Sequence, residues 1–205
     1  MIKTILCISD THNMHRRLRE MPEADVLVHC GDFTEFGTEK EALDFLEWFC
    51  DLPYRHKIFT TGNHDVCLYE GRIEGLDDNV HFLKNDGITL EDVKFYGVPF
   101  FIAGFEDKFA HAIPADTDIL ISHQPPYGIL DDTDFELDGS GFESVTHYGC
   151  ESLLKRIQLI KPKYSLFGHV HSQYGTEQHE ATTFVNASIM APEGRLNSPV
   201  LITFQ

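Results

Sequence analysis

The feature that most constrains this chain is a recurring junction: a short apolar, β-branched run that stops on aspartate, asparagine or histidine. Residues 3–9 lead into Ser9-Asp10-Thr11-His12, and 25–30 into Gly31-Asp32. Residues 56–61 lead into Gly62-Asn63-His64-Asp65, 118–122 into Ser122-His123, and 163–168 into Gly168-His169-Val170-His171. Runs of this length and composition predict buried strands. Further strands are expected at 79–83, 93–98, 181–186 and 199–204.

Helical spacing separates some of these runs. Residues 38–50 carry apolar side chains at 42, 43, 45, 46, 49 and 50, with Thr38 and Glu41 placed for a capping box. A short helix is expected over 13–20 and a longer one over 147–160, where Leu153, Leu154, Ile157 and Ile160 share a face. The early part alternates strand and helix and the late part is strand-rich. This predicts a layered α/β protein with a mixed sheet or two packed sheets. At 205 residues, with no repeat, low-complexity tract or Pro/Ser-rich linker, the chain reads as one domain over 1–205.

In layered α/β folds, ligands bind in the crevice beyond the carboxyl ends of the strands. The five junctions therefore bring Asp10, His12, Asp32, Asn63, His123, His169 and His171 toward one place. Carboxylate, carboxamide oxygen and imidazole are hard and borderline metal donors, and no CxxC pair offers a thiolate site. Seven such donors exceed one tetrahedral ion and suit two ions sharing a carboxylate, a device of phosphoester hydrolysis. Singly, each junction has a plainer reading: Asp10 as a helix N-cap, Gly31-Asp32 as a turn, Asn63-His64 as a loop hydrogen-bonder, His169-x-His171 as surface. Their conjunction, in order and each after a strand, favours the metal reading.

Charge narrows the partners. Lys and Arg number 16 against 33 Asp and Glu, a formal net charge of −17. That balance argues against nucleic-acid polymers and anionic membranes, whose binding rests on Lys and Arg. It leaves room for a small phosphate ester at a site with its own cations. The five cysteines, 7, 30, 50, 67 and 150, read as reduced thiols. The apolar run in residues 1–9 is too short for a signal or membrane segment, so a cytoplasmic location is expected.

In this order the five blocks resemble the calcineurin-like metallophosphoesterase superfamily, whose pattern runs D-x-H, G-D, G-N-H-[DE], a lone His, and G-H-x-H. A narrower likeness is to the metallophosphoesterase-domain-containing branch of small phosphodiesterases. It rests on His29-Cys30-Gly31-Asp32, Ser122 to Gly128, Tyr148-Gly149-Cys150, Phe167 to His171, Tyr174-Gly175 and Phe184 to Ser188. The resemblance implies an αββα sandwich of two mixed sheets flanked by helices, with the metal site at strand C-terminal ends. It implies one ion held by Asp10, His12, Asp32 and His171, and a second held by Asp32, Asn63, His123 and His169. Mn, Fe or Zn are the expected metals, divalent or mixed-valence.

The implied reaction is hydrolysis of small phosphodiesters, cyclic nucleotides among them, by in-line attack of a metal-bridging hydroxide. The alternatives are a phosphomonoesterase acting on nucleotides or small metabolites, and a non-enzymatic metal-binding regulatory scaffold. His64 resembles the family's active-site histidine, with a role in protonating the leaving group or stabilising the transition state. Asp65 is expected to hold the His64 imidazole in the needed tautomer, and Asn186 to support a loop. Protein phosphatases of the superfamily carry G-D-x-x-D-R-G. Here Glu35 and Phe36 stand in place of the Asp and the phosphate-binding Arg, which weakens that reading. Residues 131–143 read as an acidic loop over the site mouth.

Overall fold

The computed structural model describes residues 1–100, 104–132, 136–137, 143–144 and 147–204. Most of the acidic stretch 131–143 lies outside them. In chain order the strands are β1 (Thr4–Ile8), β2 (Val26–His29), β3 (His56–Phe59), β4 (Val80–Phe82), β5 (Asp86–Leu90), β6 (Val93–Val98), β7 (Ile119–Ser122), β8 (Glu136–Leu137), β9 (Glu143–Ser144), β10 (Tyr164–Phe167), β11 (Gly175–His179), β12 (Thr182–Asn186) and β13 (Val200–Thr203). The helices are α1 (Glu39–Asp51), α2 (Glu106–Ala112) and α3 (Glu151–Ile160).

Two mixed sheets form the centre. One has the order β13-β1-β2-β3-β4, with β1 to β4 parallel and β13 antiparallel at the edge. The other has the order β11-β12-β10-β7-β6-β5; its four inner strands run parallel, and β11 and β5 are antiparallel edges.

Side-chain alternation decides which layer each residue serves. Ile5 and Cys7 of β1, Val26 and Val28 of β2, and Ile58 of β3 face inward. There they meet Val93, Phe95, Ile119, Ile121, Leu166 and Val185 of the second sheet. The intervening residues, Leu6, Ile8, Leu27 and Phe59, face outward onto Ala42, Phe45 and Phe49 of α1. On the far side Tyr96, Val98, Leu120, Phe167 and Phe184 pack on Leu153 and Ile157 of α3. Burial on both faces explains why these strands read as continuous apolar runs. The layers are the expected αββα sandwich.

The capping box forms as read. The Thr38 side chain accepts from Glu41 N–H, and the Glu41 carboxylate accepts from Thr38 N–H at 2.9 Å. At the other end of α1 the buried Lys57 ammonium donates to the Cys50 and Leu52 carbonyls, satisfying groups that the helix leaves unpaired. Two expected helices shrink. The one at 13–20 is a single 3-10 turn, His15–Arg17, because the preceding backbone is committed elsewhere: Asp10, His12 and Asn13 N–H donate to the Gly31, Asp32 and Phe33 carbonyls. The one at 147–160 starts only at Glu151. Tyr148 N–H donates to the Asp131 carbonyl and Cys150 takes the N-cap. Among the described residues no helix is long and apolar enough to cross a membrane.

Candidate metal centre

Parallel strands with their carboxyl ends in register deliver their following loops to one edge, and all five junctions meet there. Asp10 and His12 follow β1, Asp32 follows β2, Asn63 and His64 follow β3, His123 follows β7, and His169 and His171 follow β10. Their donor atoms fall into overlapping groups within 4.8 Å: Asp10, His12 and His171; His12, Asp32 and His64; Asp32, His123 and His169. Asp32 links the last two. The Asn63 Oδ1 lies 3.0 Å from His123 Nε2, and Asp32 Oδ2 lies 3.2 Å from the same nitrogen. On the other side Asp10 Oδ1 lies 3.4 Å from His171 Nε2, which is 3.3 Å from His12 Nε2.

The backbone bends sharply to achieve this. Asp10 (φ 53°), His12 (φ 39°), Asp32 (φ 56°) and His169 (φ 72°) all lie in the left-handed region. For non-glycine residues this costs on the order of 1 kcal/mol each. The hydrogen bonds from Asp10, His12 and Asn13 to residues 31–33 hold it, as does His169 N–H donating to the Asp10 carboxylate at 3.0 Å. Two motif glycines are required by close approach. A Cβ on Gly62 would strike the Asp32 carboxylate, and one on Gly168 would strike Asp10 Oδ2 and the Ser9 hydroxyl.

The electrostatics call for positive charge. Asp10, Asp32 and Asp65 are all buried. Burial alone would raise the Asp10 pKa, but the hydrogen bond from His171 and the charges of His123 and His171 outweigh it and pull it down. Asp65 lacks such a partner: burial, with the Asp32 charge beside it, pushes it up to about 7. Burial also opposes a charge on His123, yet Asp32 and Asp10 pull it up to about 9. His169, by contrast, is pushed down to about 4 mainly by burial. Converging buried carboxylates, neutral oxygen from Asn63 and imidazoles form a donor set that fits divalent cations well.

Neighbouring groups fix the orientation of the imidazoles. His123 Nδ1 donates to the Cys30 carbonyl at 3.0 Å, which turns Nε2 toward Asp32 and Asn63. His64 Nδ1 donates to the Glu35 carbonyl at 2.7 Å. This corrects the expected role of Asp65. Its carboxylate accepts from Asp32 N–H, Thr34 N–H, the Thr34 hydroxyl and Gly62 N–H, at 2.8–3.0 Å. With both oxygens committed to backbone, Asp65 braces the Asp32 and Gly62 loops against each other, and Glu35 orients His64.

Asn186 supports a loop as expected, donating to the Val170 carbonyl and accepting from the Ser188 hydroxyl. The sequence reading missed Ser188, whose hydroxyl is also within 2.8 Å of Asp10 Oδ2. A signal existed in Asn186-Ala187-Ser188 at the end of β12, a sixth strand end with polar side chains. Two basic residues near the first junction are engaged elsewhere. Arg16 pairs with Asp44 and Glu47, and His15 is buried against Asp44.

A model of the calcineurin-like phosphoesterase family matches residues 3–173. The chain belongs to this family. Calcineurin-like phosphoesterases use divalent metal ions, and the cluster offers candidate ligands for them. Among curated relatives, a UPF0046 protein of Caenorhabditis elegans is 33% identical over 90% of this chain and 69% of its own length. Metallophosphoesterase domain-containing protein 1 of Homo sapiens is 32% identical over 96% of this chain and 69% of its own length. A crystal structure shares the fold with a TM-score of 0.64 at 17% identity, over 91% of this chain and 90% of that one.

Proposed function

We propose that this calcineurin-like phosphoesterase is a dinuclear phosphodiesterase for small, singly charged phosphate esters, cyclic nucleotides among them. The observation that carries the reading is Asp32: one buried carboxylate, between two groups of donor atoms, from which both groups can draw. Asp10, His12, Asp32 and His171 would hold one ion, and Asp32, Asn63, His123 and His169 the other. When bound, two such ions supply Lewis acidity, lowering the pKa of water and offsetting charge on the phosphoryl oxygens.

The protein's own groups orient and move protons. The Cys30 carbonyl keeps the His123 Nδ1 proton away from the cleft. His64 has Nδ1–H committed to the Glu35 carbonyl, so its imidazolium form would carry the second proton on Nε2 and give it to the departing ester oxygen, leaving the neutral Nδ1–H ring behind. Diesters are favoured over monoesters by charge. Phe36 stands where protein phosphatases have a guanidinium, and Arg16 is tied to Asp44 and Glu47. A dianionic monoester would need a cation that these residues do not offer; a monoanionic diester needs one less. The five free thiols suit a reducing compartment such as the cytoplasm. The net charge of −17 disfavours nucleic-acid polymers as substrates.

The test is a substrate panel of bis-p-nitrophenyl phosphate, p-nitrophenyl phosphate, cyclic nucleotides and nucleoside monophosphates, each with Mn, Ni, Co, Zn and Mg. Wild type should hydrolyse diesters faster than monoesters. Asp32→Ala should lose activity and weaken both ions in equilibrium dialysis. Faster monoester turnover refutes the substrate class; an Asp32→Ala chain that keeps one ion at wild-type affinity refutes the bridge.

A further inference from the structure

We propose that Glu35 is a positioning residue whose carboxylate accepts a hydrogen bond from Nδ1–H of His12, fixing the tautomer that leaves Nε2 with its lone pair toward the cleft. The inference rests on the ligand role proposed above for His12. Its starting point is an unsatisfied atom. The His12 ring is 6% exposed, and its Nδ1 is a buried nitrogen with no hydrogen-bond partner. The charged group facing that nitrogen is Glu35 Oε2, at 3.4 Å. On the other side of the ring, Nε2 lies 3.3 Å from His171 Nε2 and 3.9 Å from Asp32 Oδ2.

A buried ring nitrogen without a partner bears the full desolvation cost of its polar group. A carboxylate one small side-chain adjustment away removes that cost. Glu35 is free to make the adjustment, since its side chain is 42% exposed. Its backbone is not free. Asp65 holds Asp32 N–H, Thr34 N–H and the Thr34 hydroxyl. Glu35 is therefore carried to His12 by the same loop that sets Asp32.

Neutral carbonyls orient His123 and His64. Of these three Nδ1 atoms only that of His12 faces a carboxylate, a partner that fixes the tautomer and also raises the basicity of the ligating nitrogen. One residue would then serve two imidazoles, His64 through its backbone carbonyl and His12 through its side chain. Only the second service is lost on side-chain substitution.

The experiment titrates metal-free protein with Mn²⁺ by calorimetry, comparing wild type, Glu35→Ala and Glu35→Gln. Melting of the metal-free forms and the ¹⁵N signature of the His12 tautomer are recorded alongside. Wild type should bind two ions and show His12 protonated at Nδ1. Glu35→Ala should bind one of the two about 10- to 100-fold more weakly, with the tautomer signal mixed and melting still cooperative but at a somewhat lower temperature, because His12 Nδ1 loses its partner. Glu35→Gln, whose amide oxygen also accepts, should restore most of the affinity.

Wild-type affinity for both ions in Glu35→Ala overturns the proposal while leaving the dinuclear reading intact. A Glu35→Gln chain as weak as Glu35→Ala also overturns it, because it would point to charge rather than the proton. A wild-type chain that binds no ion overturns both.

Discussion

His29 should make this fold acid-labile, and the structure sets the size of the effect. The residue ends β2, is fully buried, and lies against the Phe33 and Phe45 rings. Its Nδ1 accepts from Gly31 N–H at 3.2 Å, so the proton sits on Nε2, 3.0 Å from the Thr11 hydroxyl. A second proton would displace Gly31 N–H and place a charge among phenylalanines. Burial accordingly pushes the pKa from 6.5 to about 3. In the unfolded chain the ring regains its ordinary value. Between pH 6.5 and 3 the unfolded state therefore binds a proton that the folded state refuses, and stability falls as pH falls through that window. The linkage gives a loss of about 2 kcal/mol between pH 7 and 5, and about 4 kcal/mol by pH 3.

The assay is denaturant unfolding of wild type and His29→Gln at pH 7 and pH 5, with chelator present so that ion binding contributes to neither. Glutamine does not titrate. His29→Gln should be less stable at pH 7, having lost packing and a hydrogen bond, yet its pH 7-to-5 loss should be smaller by about 2 kcal/mol. Titrations of the other acids and histidines are common to both chains and cancel in the difference. Parallel pH profiles would refute the reasoning, since they would require His29 to take its proton in the folded state.

Two further perturbations probe the site. His64→Ala should cut turnover by about 10²- to 10⁴-fold while both ions stay bound, read by steady-state kinetics and elemental analysis; loss of metal with unchanged activity per ion would reassign it. Gly168→Ala should cost about 1–3 kcal/mol and weaken ion binding, because its methyl enters the space of Asp10 Oδ2 and Ser9; unchanged melting and affinity would show that the approach is not required.

What was legible in the sequence follows burial and locality. The strands buried on both faces announced themselves as apolar runs, and α1 was readable to its cap because Thr38 and Glu41 bond each other's backbone across only three residues. Of the strands without a prior expectation, β5 and β11 lie on sheet edges with mostly exposed side chains: Gly175–His179 carries no apolar signal and Asp86–Leu90 only Ile88 and Leu90, while β8 and β9 are two residues each. The seven candidate ligands could be read because each follows a strand and the topology gathers strand ends. Their supports are long-range. Ser188 reaches Asp10 across 178 residues, and Glu35 bonds His64 across 29. Asp65 misled for the opposite reason. Adjacency to His64 suggested a pair, whereas adjacent side chains on an extended turn diverge, and its carboxylate went to backbone N–H groups on the neighbouring loop.

The site also gives the acidity a meaning that composition alone could not. A formal charge of −17 spread over a surface is screened by salt and says little about chemistry. Asp10, Asp32 and Asp65 are different, because they are buried together and screening does not reach them. The ion-pair partners of Asp10 and Asp32 are imidazoles, and Asp65 has only backbone N–H groups and a hydroxyl. A lysine or arginine here would satisfy the carboxylates permanently and close the site. Histidines instead offer a lone pair or a proton, as His123, pulled up to about 9 by Asp32 and Asp10, and His169, pushed down to about 4 by burial, demonstrate within one cluster. The fold thus holds negative charge at its strand ends in a form that divalent ions can neutralise and then exceed. With two ions bound as proposed, the excess positive charge would be local and small, a match for one phosphodiester group rather than for a long polyanion facing an acidic surface.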